Sequence, residues 1–188
     1  MSGTLSNLKF RKQDIWTIPN IMSYFRFVLI PVFCYLYLTA ETEMDYYKAG
    51  AVVIISTLTD FLDGFIARRF DMITELGKCI DPIADKLTHA AMALCLASKF
   101  TLLWVVFGIM VFKEGYMLIR GWFKLKENKK LPGALWFGKV CTAVFFAVIC
   151  LLLFWVEVPM TLANILIGLC IALMLFAWYM YADAYRKL

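Results

Sequence analysis

Four aspartates stand in two helix-spaced pairs inside a very apolar stretch of chain: Asp60 and Asp63 are three apart, Asp81 and Asp85 four apart. On a helix either spacing puts both carboxylates on one face, with Cβ atoms about 5–6 Å apart. Ionised groups are costly in lipid, about 3 kcal/mol or more each, and are kept in membrane helices where they do something. Two such helices side by side would form one four-carboxylate nest. Hard divalent cations take oxygen ligands of this kind, often a few carboxylates completed by substrate phosphates. With no Cys or His ligand set nearby, the donors favour Mg²⁺ or Mn²⁺ over zinc. His89, the single histidine, lies four residues after Asp85 and is expected to pack beside the nest rather than bind metal.

The residues around the aspartates fit the same chemistry. Gly64 and Gly77 bracket the turn between the pairs, where backbone must come close to something bulky. Ala67 lies four residues after Asp63 and keeps that face open, and Arg68 is placed to pair with a phosphate. Pro82 is expected within the first turns of its helix, where a missing amide proton is harmless. Each residue alone has an ordinary explanation, since glycines pack membrane helices and arginines mark their cytoplasmic ends. Helix packing does not require four aspartates in two spaced pairs.

The elements that position these groups follow from composition. Of 188 residues, 63% are hydrophobic and 18% charged, and the mean hydropathy is +0.76. Soluble domains are closer to half apolar. Apolar runs of about 20 residues, enough to cross a bilayer, recur six times. The expected fold is an all-α integral membrane protein of about six transmembrane helices. The spans run from about Ile21 to Thr39, Tyr46 past Asp63, Gly77 to Ala97, Leu102 to Phe123, Gly133 to Val156 and Met160 to Tyr181. Residues 1–18 read as a juxtamembrane amphipathic segment, in which Lys9, Arg11 and Lys12 alternate with Leu8, Phe10, Ile15 and Trp16. It is either an interfacial helix or a disordered basic tail; residues 19–188 form the six-helix domain. No signal peptide is expected, because the first eighteen residues lack an apolar run.

Lys and Arg cluster at one set of helix ends: Lys9, Arg11 and Lys12; Arg68, Arg69 and Lys78; Lys124, Lys126, Lys129 and Lys130; Arg186 and Lys187. The opposite loops are acidic or nearly uncharged. The positive-inside rule therefore puts both termini, and the connection beside the aspartates, in the cytoplasm. The formal charge of +5 follows from this topology. No basic block interleaved with aromatics argues for nucleic acid. Cys34, Cys79, Cys95, Cys141, Cys150 and Cys170 form no C-x-x-C pair and read as packing residues.

The stretch DFLDGFIARRFDMITELGKCIDPIADK, residues 60–86, resembles the CDP-alcohol phosphotransferase family signature D-x2-D-G-x2-A-R-x8-G-x3-D-x3-D at all eight positions. The opening Ile18-Pro19-Asn20 followed by Ser23, Arg26 and Pro31 is similar to the branch containing phosphatidylglycerophosphate and cardiolipin synthases, the former more closely. So are IDPIADK, FKEGYMLIRG and WFGKV, with Ile80 where that branch has Leu and Lys113 where it has Arg.

The resemblance implies transfer of a phosphatidyl group from CDP-diacylglycerol to an alcohol, with release of CMP at the cytoplasmic face, by a membrane-embedded, commonly dimeric enzyme. It implies Mg²⁺ or Mn²⁺ held by Asp60, Asp63 and Asp81, with Asp85 beside the metal, counted here with the ligands, and acting as the base that takes the acceptor's proton. Asp60, Asp63, Gly64, Ala67, Arg68, Gly77 and Asp81 would bind the CDP group. Lys113, Glu114, Arg120 and Lys139 are ionisable groups in or near the fourth and fifth spans. Arg120 and Lys139, helped by Arg186, are candidates to clamp the phosphate of glycerol 3-phosphate; the alternative is that Arg120 and Arg186 merely snorkel. Rival readings are a cardiolipin synthase accepting phosphatidylglycerol, a cation transporter with an acidic site, and a non-catalytic scaffold. Tracer uptake without CMP release marks the transporter, and survival of Asp63→Ala in complementation marks the scaffold.

Overall fold

The computed structural model describes residues 16–126 and 135–186, and its described residues hold six α-helices and no strands. These are α1 (Ile18–Leu38), α2 (Glu43–Arg69), α3 (Glu75–Ala97), α4 (Leu103–Lys126), α5 (Trp136–Phe154) and α6 (Met160–Arg186). All but the last three residues of the expected amphipathic segment lie outside the described residues, as do Lys129, Lys130, Gly133 and Lys187. Of the segment's end, Ile18 already belongs to α1.

α1, α2, α5 and α6 are long and apolar enough to cross a membrane. α3 and α4 have comparable lengths, but ionisable residues dilute their hydropathy: Asp81, Asp85 and Lys86 in one, Lys113, Glu114 and Arg120 in the other. Large apolar side chains lie open on the helix surfaces, among them Val28, Tyr35, Phe61, Phe65, Ile165 and Tyr179. In water such a surface would aggregate; against lipid tails it is the expected one. The chain is an all-helical integral membrane protein.

Two compact units divide within α3, between Ala91 and Met92. In the first, α1 packs on α2. The buried stripe of α1 is polar at its start, with Asn20, Ser23 and Arg26, and apolar beyond, with Leu29, Phe33 and Tyr37. α2 buries Ala49, Gly50, Val53, Ser56, Thr59 and Asp63. Small residues dominate that face and let helix backbones approach closely. Pro19 occupies the first turn of α1, where its missing N–H costs nothing. At the start of α2, the Thr42 N–H and hydroxyl both donate to Asp45 Oδ2, at 3.1 and 2.7 Å.

The turn from α2 to α3 positions the site. Phe70 N–H donates to the Ile66 carbonyl and Met72 N–H to that of Ala67, both at 3.0 Å. Between them Asp71 takes a left-handed φ of 52°, a conformation that Asp tolerates better than most residues. Thr74 then caps α3 by accepting the Gly77 N–H at 2.9 Å. Because α3 begins at Glu75, Pro82 lies beyond the first turn, contrary to expectation, and deprives the residue 78 carbonyl of its helical donor.

In the second unit α6 packs against both α4 and α5, burying Ala163, Ile167, Cys170, Met174, Ala177 and Tyr181. This alternating three- and four-residue spacing marks a helix–helix seam. Lys99, in the short α3–α4 connection, donates to the Val156 carbonyl between α5 and α6. Cys95, Cys141 and Cys170 are buried and Cys34 and Cys150 partly buried.

Candidate active site

The four aspartates come together in the first unit, around a residue that the carboxylate spacing does not reveal. Arg26 of α1 pairs with all four. Nη1 bonds Asp60 Oδ1 and, at 2.5 Å, Asp85 Oδ1. Nη2 bonds Asp63 Oδ2 at 2.8 Å and Asp81 Oδ1 at 3.3 Å. The Arg26 and Asp63 side chains are 2% and 4% exposed, while Asp60, Asp81 and Asp85 are 40–46% exposed. The cluster thus has a buried floor and an open rim. One guanidinium faces four carboxylates, a formal surplus of three negative charges.

The pairs lie near the C-terminal end of α2 and the N-terminal part of α3, flanking one connection. The polar stripe of α1 spans both helices. Ser23 Oγ lies 2.5 Å from Asp81 Oδ1 and 3.1 Å from the Pro19 carbonyl, within hydrogen-bonding distance of both. Asn20 Nδ2 donates to Thr74 Oγ1 at 3.1 Å, tying α1 to the cap of α3. An arginine inside an apolar helix was the available signal for Arg26, since intramembrane charges default to function. Thr74, three residues before Gly77, carried the sequence mark of a helix start.

The donor set fits a hard divalent cation: it is all oxygen, carries surplus negative charge and opens at its rim. Among the described residues, however, no three ligating side chains converge into a ready-made cage. The aspartates close instead on Arg26, each through one oxygen.

The two glycines have different reasons. A Cβ on Gly77 would lie 2.7 Å from Asn20 Oδ1 and 3.1 Å from Thr74 Oγ1, so the interlock of α1 with α3 itself requires glycine there. A Cβ on Gly64 would meet only the Arg68 guanidinium, at an ordinary 3.5 Å, so the chain's own packing does not exclude alanine. Gly77→Ala is therefore expected to destabilise the protein by about 1–3 kcal/mol and to lower its thermal midpoint in detergent. Gly64→Ala is expected to leave the midpoint unchanged or slightly raised and to weaken CDP-lipid binding. Equal midpoints for the two variants would contradict this assignment. Ala67 is partly exposed beside Gly64, Arg68 is exposed, and His89 is partly buried one turn beyond Asp85.

In the second unit Lys113 and Glu114 pair at 3.4 Å. Arg120 lies over the Tyr116 ring, 6.0 Å from its centroid, with its Nε buried and without a hydrogen-bond partner. Trp178 meets Tyr116 and Phe112 edge-on, at 6.0 and 5.4 Å. α5 begins at Trp136, so Lys139 stands in its first turn, exposed. Tyr181 sets that start: its hydroxyl accepts the Leu135 N–H at 3.3 Å, and a Cβ on Gly138 would collide with it. Arg186 is exposed at the end of α6.

Fold and site define an all-helical membrane protein whose centre is a rim of acidic oxygens over a buried cation. Residues 16–180 match the family model for CDP-alcohol phosphatidyltransferase, and the chain belongs to that family. Over 149 residues it is 28% identical to the CDP-diacylglycerol--glycerol-3-phosphate 3-phosphatidyltransferase of Escherichia coli (strain K12), covering 76% of this chain and 81% of that one. Over 92 residues it is 36% identical to a cardiolipin synthase (CMP-forming) / mitochondrial hydrolase fusion protein of Schizosaccharomyces pombe, covering 48% of this chain but 15% of the relative.

Proposed function

We propose that the protein transfers the phosphatidyl group of CDP-diacylglycerol to glycerol 3-phosphate, giving phosphatidylglycerophosphate and CMP. The observation that carries this reading is the convergence of Asp60, Asp63, Asp81 and Asp85 on one point from α2 and α3. The half-exposed rim is open to a diphosphate, and the buried floor fixes the rim. A divalent cation held by these carboxylates would neutralise the diphosphate and polarise the phosphorus under attack. Asp85, on the rim, takes the acceptor hydroxyl's proton as its oxygen bonds to the lipid-bearing phosphorus and the bond to CMP breaks. Gly64, Ala67, Arg68 and Gly77 shape the CDP site. The Lys and Arg at the α2–α3 connection favour a cytoplasmic site, supplied from cytoplasm and inner leaflet.

Arg120, Lys139 and Arg186 are proposed to hold the acceptor phosphate. The support is the unpartnered buried Nε of Arg120 and the exposed cationic ends of Lys139 and Arg186. Arg120→Ala is expected to raise the KM for glycerol 3-phosphate about tenfold or more, the worth of a charge-assisted hydrogen bond, with a smaller change in kcat. An unchanged KM in both Arg120→Ala and Lys139→Ala would remove these residues from the acceptor site.

The similarity to a cardiolipin synthase fusion protein favours one second reading, with phosphatidylglycerol as acceptor. The deciding experiment offers the purified protein radiolabelled glycerol 3-phosphate or labelled phosphatidylglycerol beside CDP-diacylglycerol. Label from glycerol 3-phosphate entering the lipid phase supports the proposal; conversion of phosphatidylglycerol alone to cardiolipin supports the second reading. Light scattering on the purified protein checks the homodimer that family membership leads us to expect.

A further inference from the structure

Arg26 holds the same carboxylate oxygens that a divalent cation would need. Its guanidinium is buried, spans α2 and α3, and takes one oxygen from each of the four aspartates. Asp63 is its buried partner, 4% exposed. Arg26 Nε is itself buried and without a hydrogen-bond partner, so the guanidinium is anchored by the aspartates alone among the described residues. Four carboxylates from two helices would repel one another without a cation among them, and a buried charge of either sign must be paired. A dication reaching these oxygens would repel the guanidinium at close range, with little water to screen the pair.

We infer that Arg26 is a built-in counter-cation that competes with the divalent metal: it holds the four aspartates together before metal binds and yields their oxygens when it does. Arg26 is thus a positioning residue that sets metal affinity, keeping the metal-free site assembled at the cost of weaker metal binding. This inference rests on reading the four carboxylates as the cation's ligands.

The test is Mn²⁺ binding to the full chain in detergent, without nucleotide, followed by electron paramagnetic resonance of the free ion. Thermal midpoints are measured beside it in EDTA and in Mn²⁺. Arg26→Met removes the charge at similar length, and is expected to bind Mn²⁺ at least tenfold tighter than wild type. Its midpoint should fall in EDTA and recover in Mn²⁺, because a ligand that binds only the folded form stabilises it. Arg26→Lys keeps a charge but loses the fork that bridges two helices, so severalfold tighter binding is expected even if the methionine variant does not fold. Unchanged or weaker Mn²⁺ binding in the variants, with wild type binding normally, overturns the inference and leaves the ligand reading standing. Absence of Mn²⁺ binding in wild type and variants alike overturns both.

Discussion

Asp85→Asn is expected to lower kcat by about 10²–10⁴-fold, the usual worth of a general base, while CDP-diacylglycerol still binds. Asp85 is on the exposed rim and is one of four carboxylates around Arg26. The amide keeps the size and one acceptor oxygen but cannot take a proton. Because Asp60, Asp63 and Asp81 still pair with Arg26, the remaining cluster should hold its shape. Single-turnover kinetics beside an equilibrium binding assay separate the two effects. Parallel loss of binding and turnover would make Asp85 chiefly a ligand.

Exhaustive chelation of divalent ions is expected to abolish turnover without unfolding the protein. Loss of activity follows from the diphosphate, whose charge the acidic rim would otherwise repel. Survival of the fold follows from Arg26, which keeps the carboxylates paired when no other cation is present. Far-UV circular dichroism in EDTA should match that of untreated protein, and added Mg²⁺ or Mn²⁺ should restore activity. Zinc, which prefers nitrogen and sulfur ligands, should restore it poorly. Full activity after chelation would contradict the metal-assisted account.

The helices were legible because lipid demands long apolar runs, and the carboxylate pairs because helical spacing maps sequence onto a face. The six expected segments overlap α1–α6, with helix ends differing by a few residues, and four of these helices are long and apolar enough to cross a membrane. What spacing could not reveal is the partner. Arg26 reaches aspartates 34 to 59 residues away, and no local pattern encodes which charge meets which across helices. Read as part of a branch-like opening, it also hid the role that its position inside a span should have announced. Gly77 also has a packing role that its place in the signature does not reveal: a Cβ there would meet Asn20, 57 residues away on α1, besides its near neighbour Thr74. The place of Lys139 in the first turn of its helix depends on Tyr181, 46 residues from the Leu135 N–H that it accepts, a contact that no local pattern encodes.

Acceptor-dependent release of CMP tests the proposed reaction most directly. Purified protein would be given CDP-diacylglycerol and Mg²⁺, with glycerol 3-phosphate, phosphatidylglycerol, inositol phosphate or serine added separately or left out. The prediction is CMP release with glycerol 3-phosphate and little without an acceptor, matched mole for mole by phosphatidylglycerophosphate. CMP release at the same rate with no acceptor, or none with any acceptor, would contradict it.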